Sequence, residues 1–139
     1  QEHLFLAQKV IESASEAILI TDVHANVIDV NPSYLKLTGF DREEVIGANP
    51  RISKSGRHGA DFYREMWNKI TTQGHWQGEV WDRRKNGEIY PKWLTINAIK
   101  NASGEVTHYV GVFQDISTQK EAGRSRISLP HNLSFTASF

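Results

Sequence analysis

The sequence predicts an α+β domain: a five-stranded antiparallel sheet with short helices on one face and a further helix flanking it at the N-terminus. Three observations carry the prediction. Runs of β-rich residues fall in two separated clusters, two short ones before residue 31 and three longer ones after residue 74. Helical periodicity fills the interval between them. Asn86-Gly87, lying between two apolar runs, is the dipeptide that a tight hairpin turn selects. Strands that come in runs, with no helix between each pair, join antiparallel rather than through crossovers.

Between Glu2 and Ser13, the apolar residues Leu4, Phe5, Val10 and Ile11, with Leu6 and Ala7 beside them, give an irregular amphipathic helix ending near Ser13-Ala14-Ser15. Ala17 to Thr21 is a β-rich run, Asp22 to Asn26 supplies turn residues, and Val27 to Val30 completes a hairpin. Asn31-Pro32 joins a good N-cap to the proline favoured at the first helical position; Tyr34, Leu35 and Leu37 give that helix an apolar side, and Gly39 stops it. Asp41 caps a second short helix, Arg42 to Ile46, closed by Gly47. Ala48 to Gly59, with Pro50 and two glycines, is loop or single helical turns.

Asp61 opens a longer helix in which Phe62, Met66, Trp67 and Ile70 recur at helical spacing until Gln73-Gly74. Trp76 to Trp81, Glu88 to Ile99 and Glu105 to Ile116 are the remaining strands, turning at Asn86-Gly87 and at Asn101-Ala102-Ser103-Gly104. Pro91 lacks the donor a mid-sheet ladder needs, so it is expected at a strand start or on an edge. Residues 119–139, interrupted by Gly123 and Pro130, carry no helical period and read as a tail or linker. The domain proper is therefore expected over 16–118, behind a flanking helix at 1–15.

Composition narrows the function classes. Sixteen Lys and Arg balance sixteen Asp and Glu, so no global field is available to hold a nucleic acid or an anionic membrane. The absence of cysteine removes disulfides, thiolate nucleophiles, Cys-ligated zinc, iron–sulfur clusters and any cysteinyl adduct to a flavin. Apolar stretches such as Ala17 to Ile20 are far shorter than the roughly 20 residues that span a bilayer, and Gln1 to Val10 lacks the order of a signal peptide. A soluble, cytoplasmic domain is the expectation.

Several segments, in order, resemble the PAS family with its C-terminal PAC motif. They are Asp22 followed after eight residues by Asn31-Pro32, Leu37-Thr38-Gly39-Phe40, Glu43-Glu44-Val45-Ile46-Gly47, and the closing Gly111-Val112-Phe113-Gln114-Asp115-Ile116-Ser117. Ser55-Gly56-Arg57-His58, Gly74-His75-Trp76-Gln77-Gly78-Glu79 and Arg83-Arg84-Lys85-Asn86-Gly87-Glu88 look like the PAS subgroup that precedes diguanylate cyclase (GGDEF) and phosphodiesterase (EAL) domains. They are also similar to the flavin-binding PAS domains of redox sensors that control nitrogen fixation and methane oxidation. The resemblance implies a sheet wrapped around a pocket roofed by the central helices, a bacterial signalling context and no catalytic activity in the domain itself.

In the flavin-binding relatives, tryptophans at the places of Trp67 and Trp76 line the isoalloxazine pocket, so the resemblance implies that role here; large aromatics at this spacing also serve simply as core. The same pocket is expected to draw on Asn31, Leu35, Ile46, Asn49, Met66, Val80, Asp82, Leu94 and Ile96. Strand alternation sends Val80, Asp82, Leu94 and Ile96 towards Trp67, Leu35 and Ile46, and sends Trp81, Trp93 and Thr95 the other way. Three polar positions that hold the ring in those relatives are here Leu19, Pro50 and Asp82, and an ionised Asp82 accepts but does not donate. Compared with photoreceptor (LOV) domains, the flavin amide positions become Asp82, Lys92 and Phe113. FAD is therefore the candidate cofactor, held non-covalently. Haem is disfavoured, because neither His58, before the long helix, nor His75, at a strand entrance, is placed as a helix-borne axial ligand.

No nucleophile-elbow, P-loop, zinc-protease or dinucleotide-binding motif is present, Glu43-Glu44 reads as a solvated face, and Arg83-Arg84-Lys85 reads as a hairpin flank. The expectation is a sensory module that binds a small molecule and relays its state to an output domain. The alternative is a ligand-free domain that only dimerises. A homodimer through the N-terminal helix and the outer sheet face is expected in either case, because two outward tryptophans and an apolar helix side leave surface that something must cover.

Overall fold

The computed structural model describes residues 2–49 and 54–120. Helix α1 (Glu2–Ser13) leads into strands β1 (Ala17–Thr21) and β2 (Val27–Val30). Helices α2 (Pro32–Thr38), α3 (Arg42–Val45) and α4 (Ala60–Gln73) follow, then strands β3 (His75–Arg83), β4 (Ile89–Lys100) and β5 (Val106–Asp115). The five strands form one antiparallel sheet in the order β2-β1-β5-β4-β3. The first and last strands of the fold thus pair at its centre, where Leu19 faces Gly111. The tail beyond Lys120 lies outside the described residues.

Local chemistry sets the helix limits. Asn31 caps α2 by accepting from the Tyr34 N–H, Pro32 sits in the first turn, and Gly39 at φ +82° closes the helix in the left-handed region that costs glycine nothing. Asp41 and Glu44 form a capping box on α3, which ends one residue earlier than its sequence suggests because Ile46 turns to extended geometry. On α4, Tyr63, Met66, Trp67 and Ile70 fall at i, i+3, i+4 and i+7 and face the sheet.

The core lies between the sheet and these helices. It contains Ala17, Leu19, Val27, Val30, Tyr34, Val45, Met66, Ile70, Val80, Leu94 and Phe113. Pro91 falls in β4, between β3 and β5, and still breaks no ladder bond. Its partner Trp81 points its N–H away from β4, and the Pro91 carbonyl accepts from Ile116, just past the last residue of β5. Each sheet margin is covered at one end. Val27 exchanges backbone bonds with Gly47 and Ala48, while β3 receives Lys54 in a bridge to Asp82 and His58 against the Trp81 N–H.

The outer face carries Glu79, Trp81, Trp93 and Thr95, tied by Trp81 Nε1 donating to Glu79 and Gln77 Nε2 donating to Thr95. Helix α1 is held at its C-terminal end, where Asn31 Nδ2 donates to the Ile11 carbonyl and Ser33 Oγ to that of Ala14. Leu6 and Val10 on the same helix stay 61% and 64% exposed. No helix among the described residues is long and apolar enough to cross a membrane.

Candidate functional site

A cavity of 360 Å³ opens between the inner sheet face and α4. Strand alternation brings Val80 and Asp82 from β3, Lys92, Leu94 and Ile96 from β4, Tyr109, Gly111 and Phe113 from β5, and Leu19 and Thr21 from β1 to its wall. Helix α4 supplies Tyr63, Met66 and Trp67; Ala25, Tyr34, Asn49 and Lys54 complete the lining. Trp67 stands edge-on to Tyr109, their ring centres 5.2 Å apart.

The polar focus of this largely apolar space is an ion pair. Lys92 Nζ lies 2.6 Å from Asp82 Oδ2, with side-chain exposures of 9% and 8%. Register explains the contact: Asp82 faces Tyr90, so Lys92 is its diagonal neighbour on the same face of the adjacent strand. Lys92 Nζ also stands 3.9 Å above the Phe113 ring. Two charges sheltered this deeply survive only as a pair, and they leave fixed donor and acceptor directions in a low-dielectric wall.

Tyrosines surround the pair. The Tyr34 hydroxyl is pushed up to about 12 by burial and by the negative charge of Asp82, so it stays a neutral phenol. Burial, with the same carboxylate, raises Tyr63 and Tyr90 as well. The Tyr63 hydroxyl is buried without a hydrogen-bond partner among the described residues, although its ring carries Lys54 Nζ at 4.0 Å. A buried orphan donor on a cavity wall is a group that a ligand acceptor would satisfy.

Of the residues singled out from sequence, Asn49, Met66, Trp67, Val80, Asp82, Leu94 and Ile96 meet at this cavity. Four lie elsewhere. Asn31 is fully buried and fully used: Oδ1 accepts from the Ile18 and Tyr34 amides and Nδ2 donates to the Ile11 and Glu16 carbonyls, which exhausts an amide side chain. Leu35 packs against the helical side of the core, and Ile46 is 38% exposed at the end of α3. Trp76 lies over Gly78 and meets Phe62 edge-on at 6.0 Å, beside the cavity but outside its lining. Pro50 is outside the described residues. His58 uses Nε2, the nitrogen an iron would need, to accept the Trp81 N–H, and His75 is exposed at the start of β3.

Sequence reasoning missed Tyr63, Tyr109, Lys54, Thr21 and Ala25. Tyr63 was within reach, because it completes the i, i+3, i+4, i+7 stripe of α4. Thr21 and Tyr109 become visible only once β1 and β5 are known to pair, and no local pattern states that. Ala25 reaches the cavity from a turn in which it takes φ +66°, held by Asp22 Oδ1 accepting from His24 and Asn26.

The exit from the domain is equally defined. Asp115, at the end of β5, accepts from both the amide and the hydroxyl of Ser117, where one helical turn, 117–120, begins.

The fold has counterparts among known proteins. A nitrogen fixation regulatory protein of Klebsiella oxytoca is 33% identical over 117 residues, which cover 84% of this chain and 24% of that protein. A blue-light-activated histidine kinase of Brucella canis is 30% identical over 107 residues, 73% of this chain and 22% of the kinase. The chain thus spans about a quarter of the length of these curated relatives. The PAS domain of a protein from Colwellia psychrerythraea superposes with a TM-score of 0.78 at 23% identity, covering 84% of this chain and 98% of that one. The PAS domain profile itself matches residues 15–118, from the end of α1 to the Ser117 turn. With strand order, one-sided helices and this match in agreement, the chain belongs to the PAS domain family.

Proposed function

We propose that this sensory domain holds a small planar molecule in the 360 Å³ cavity and passes its state on through the Asp115 junction to an output domain outside the chain. The observation that carries the reading is the Asp82–Lys92 pair set beside the orphan Tyr63 hydroxyl in a largely apolar space. Together they offer one acceptor and two kinds of donor. A flavin ring presents the complement along one edge, an N–H between two carbonyls, and Trp67 offers it an aromatic wall. FAD therefore fits the donor set: Asp82 would take the ring N–H, Lys92 and Tyr63 the carbonyl oxygens. When bound, a flavin supplies a visible absorption band and a redox-responsive ring.

The relatives support the context, since one regulates nitrogen fixation and another is a blue-light-activated histidine kinase. A kinase, diguanylate cyclase or phosphodiesterase is the kind of output domain we infer. The test is the absorption spectrum of the purified protein, followed by FAD titration of any colourless fraction. A yellow protein, or saturable uptake lost in Asp82→Leu, supports the reading. Protein that remains colourless and takes up no FAD overturns the flavin assignment.

A second reading, a domain that only dimerises, draws on exposed Leu6 and Val10 of α1. Both readings include a homodimer, so the mass in solution does not separate them, whereas ligand uptake does.

A further inference from the structure

We propose that the segment from Lys54 to His58 is a proton-operated latch on the cavity, held shut by the neutral imidazole of His58 accepting a backbone N–H from the sheet edge. The inference rests on the cavity being a binding site. Strand β3 is an edge strand, and this segment lies along it: Lys54 forms an isolated antiparallel bridge with Asp82, and the outward Trp81 N–H donates to His58 Nε2 at 2.9 Å. Arg57 adds a stack over the Trp81 ring at 4.0 Å.

The bond fixes the charge state. A nitrogen that accepts must keep its lone pair, so the proton of His58 sits on Nδ1, and a second proton on Nε2 would turn the contact into donor against donor. The ring is wedged in place, stacked on Phe62 at 3.9 Å and edge-on to Tyr63 at 6.0 Å. The segment it anchors also forms part of the cavity wall, because Lys54 lines the space and covers Tyr63. Release of His58 therefore loosens the wall at the orphan hydroxyl. Gly56, at φ +90°, gives the segment a point about which to turn.

The charged groups around the imidazole are Arg57 from its own segment and Glu79 and Asp82 from β3, and the titratable Tyr63 phenol of α4 faces it as a neutral ring. Desolvation lowers the His58 pKa, Asp82 and Glu79 oppose this, and Arg57 adds to it, with a net lowering. Asp82 is also engaged by Lys92, and Glu79 by Lys120 and the Trp81 indole. A histidine lowered by folding lends stability above the ordinary histidine value, about 6.5, and loses it as pH falls through the folded value. The latch is closed near neutrality and opens in mild acid.

Two measurements on the same protein test this. The first is stopped-flow uptake of FAD between pH 8 and 5. If entry needs a protonated His58, the rate rises about tenfold per unit of falling pH until His58 is titrated, then levels. His58→Ala should be fast and flat, with His75 and His108 left as internal controls. A flat wild-type profile, or a slope that survives His58→Ala, overturns the latch. The second needs no ligand: hydrogen exchange protection of the Trp81 amide, corrected for intrinsic rate, alongside the imidazole titration of His58. Protection should fall at least about tenfold with the same midpoint as the imidazole. Equal protection at pH 8 and 5 overturns the latch. Failure of FAD to bind at any pH overturns the cavity reading instead, and the amide measurement still decides the latch.

Discussion

Arg84 and Asp115 clasp the β3–β4 hairpin to the end of β5, Nη2 lying 2.5 Å from Oδ2. The same guanidinium donates to Glu88 and to the Leu37 carbonyl and covers the Tyr90 ring at 4.0 Å. One side chain thus ties α2, the hairpin and the strand that leads out of the domain. Burial works against the charge of Asp115, but Ser117 and Arg84 outweigh it and hold the carboxyl below its usual range.

Arg84→Met should cost about 2–3 kcal/mol in urea denaturation. That is less than the loss of a fully buried partner, because Asp115 remains 28% exposed. The contribution of Asp115 is present above the unfolded carboxylate value, about 3.9, and fades as pH falls through its lowered folded value. The variant should therefore show a shallower loss of stability below about pH 4 than wild type. Equal acid limbs would contradict the clasp.

Lys92→Met removes the ion-pair partner of the sheltered Asp82 and should lower stability by about 3–5 kcal/mol. The double variant Asp82→Leu, Lys92→Met should recover most of that loss, since an apolar pair suits an apolar wall. Thermal and urea unfolding of the four forms give the coupling directly, and additive losses would refute it.

Tyr63→Phe separates binding from folding. Removing an unpartnered buried hydroxyl should leave the ligand-free stability unchanged or raise it by up to about 1 kcal/mol, while FAD affinity falls about tenfold. A destabilised Phe variant would mean that the hydroxyl already has a partner.

Gly78→Ala places a methyl 2.8 Å from the nearest carbon of the Trp76 ring. The indole must shift, at a cost of about 1–3 kcal/mol, and tryptophan emission should move with it. An unchanged spectrum and stability would show that Trp76 does not rest on the strand.

Val10→Glu, at an exposed position of α1, should convert a dimer to a monomer in light scattering with the circular dichroism spectrum retained. If α1 serves only its own subunit, the mass stays constant, and wild-type protein that is monomeric at micromolar concentration removes the dimer altogether.

Element positions were legible because their punctuation is local: Asn31-Pro32, Gly39, Gly74 and Asn86-Gly87 each mark a boundary through backbone chemistry that no tertiary contact needs to supply. Long-range pairing was not. The central β1–β5 contact joins residues about ninety apart, and it places Tyr109, Gly111 and Thr21 at the cavity. Asn31 shows the other limit. Its residue type announces a cap, but only the fold reveals that the same amide also staples α1 to β1, leaving nothing for a ligand.

The occupied margins of the sheet bear on how the domain coexists with copies of itself. An open β-sheet with bare outer strands can recruit any passing extended chain and grow, the route by which such proteins aggregate. Here Gly47 and Ala48 close one margin at Val27, while Lys54 and His58 close the other at Trp81 and Asp82. At those positions the backbone is not open to strand addition. Loss of the His58 contact would then expose a short adhesive strip as well as a cavity, so acid-treated or His58-substituted protein should scatter light at concentrations where the wild type stays clear.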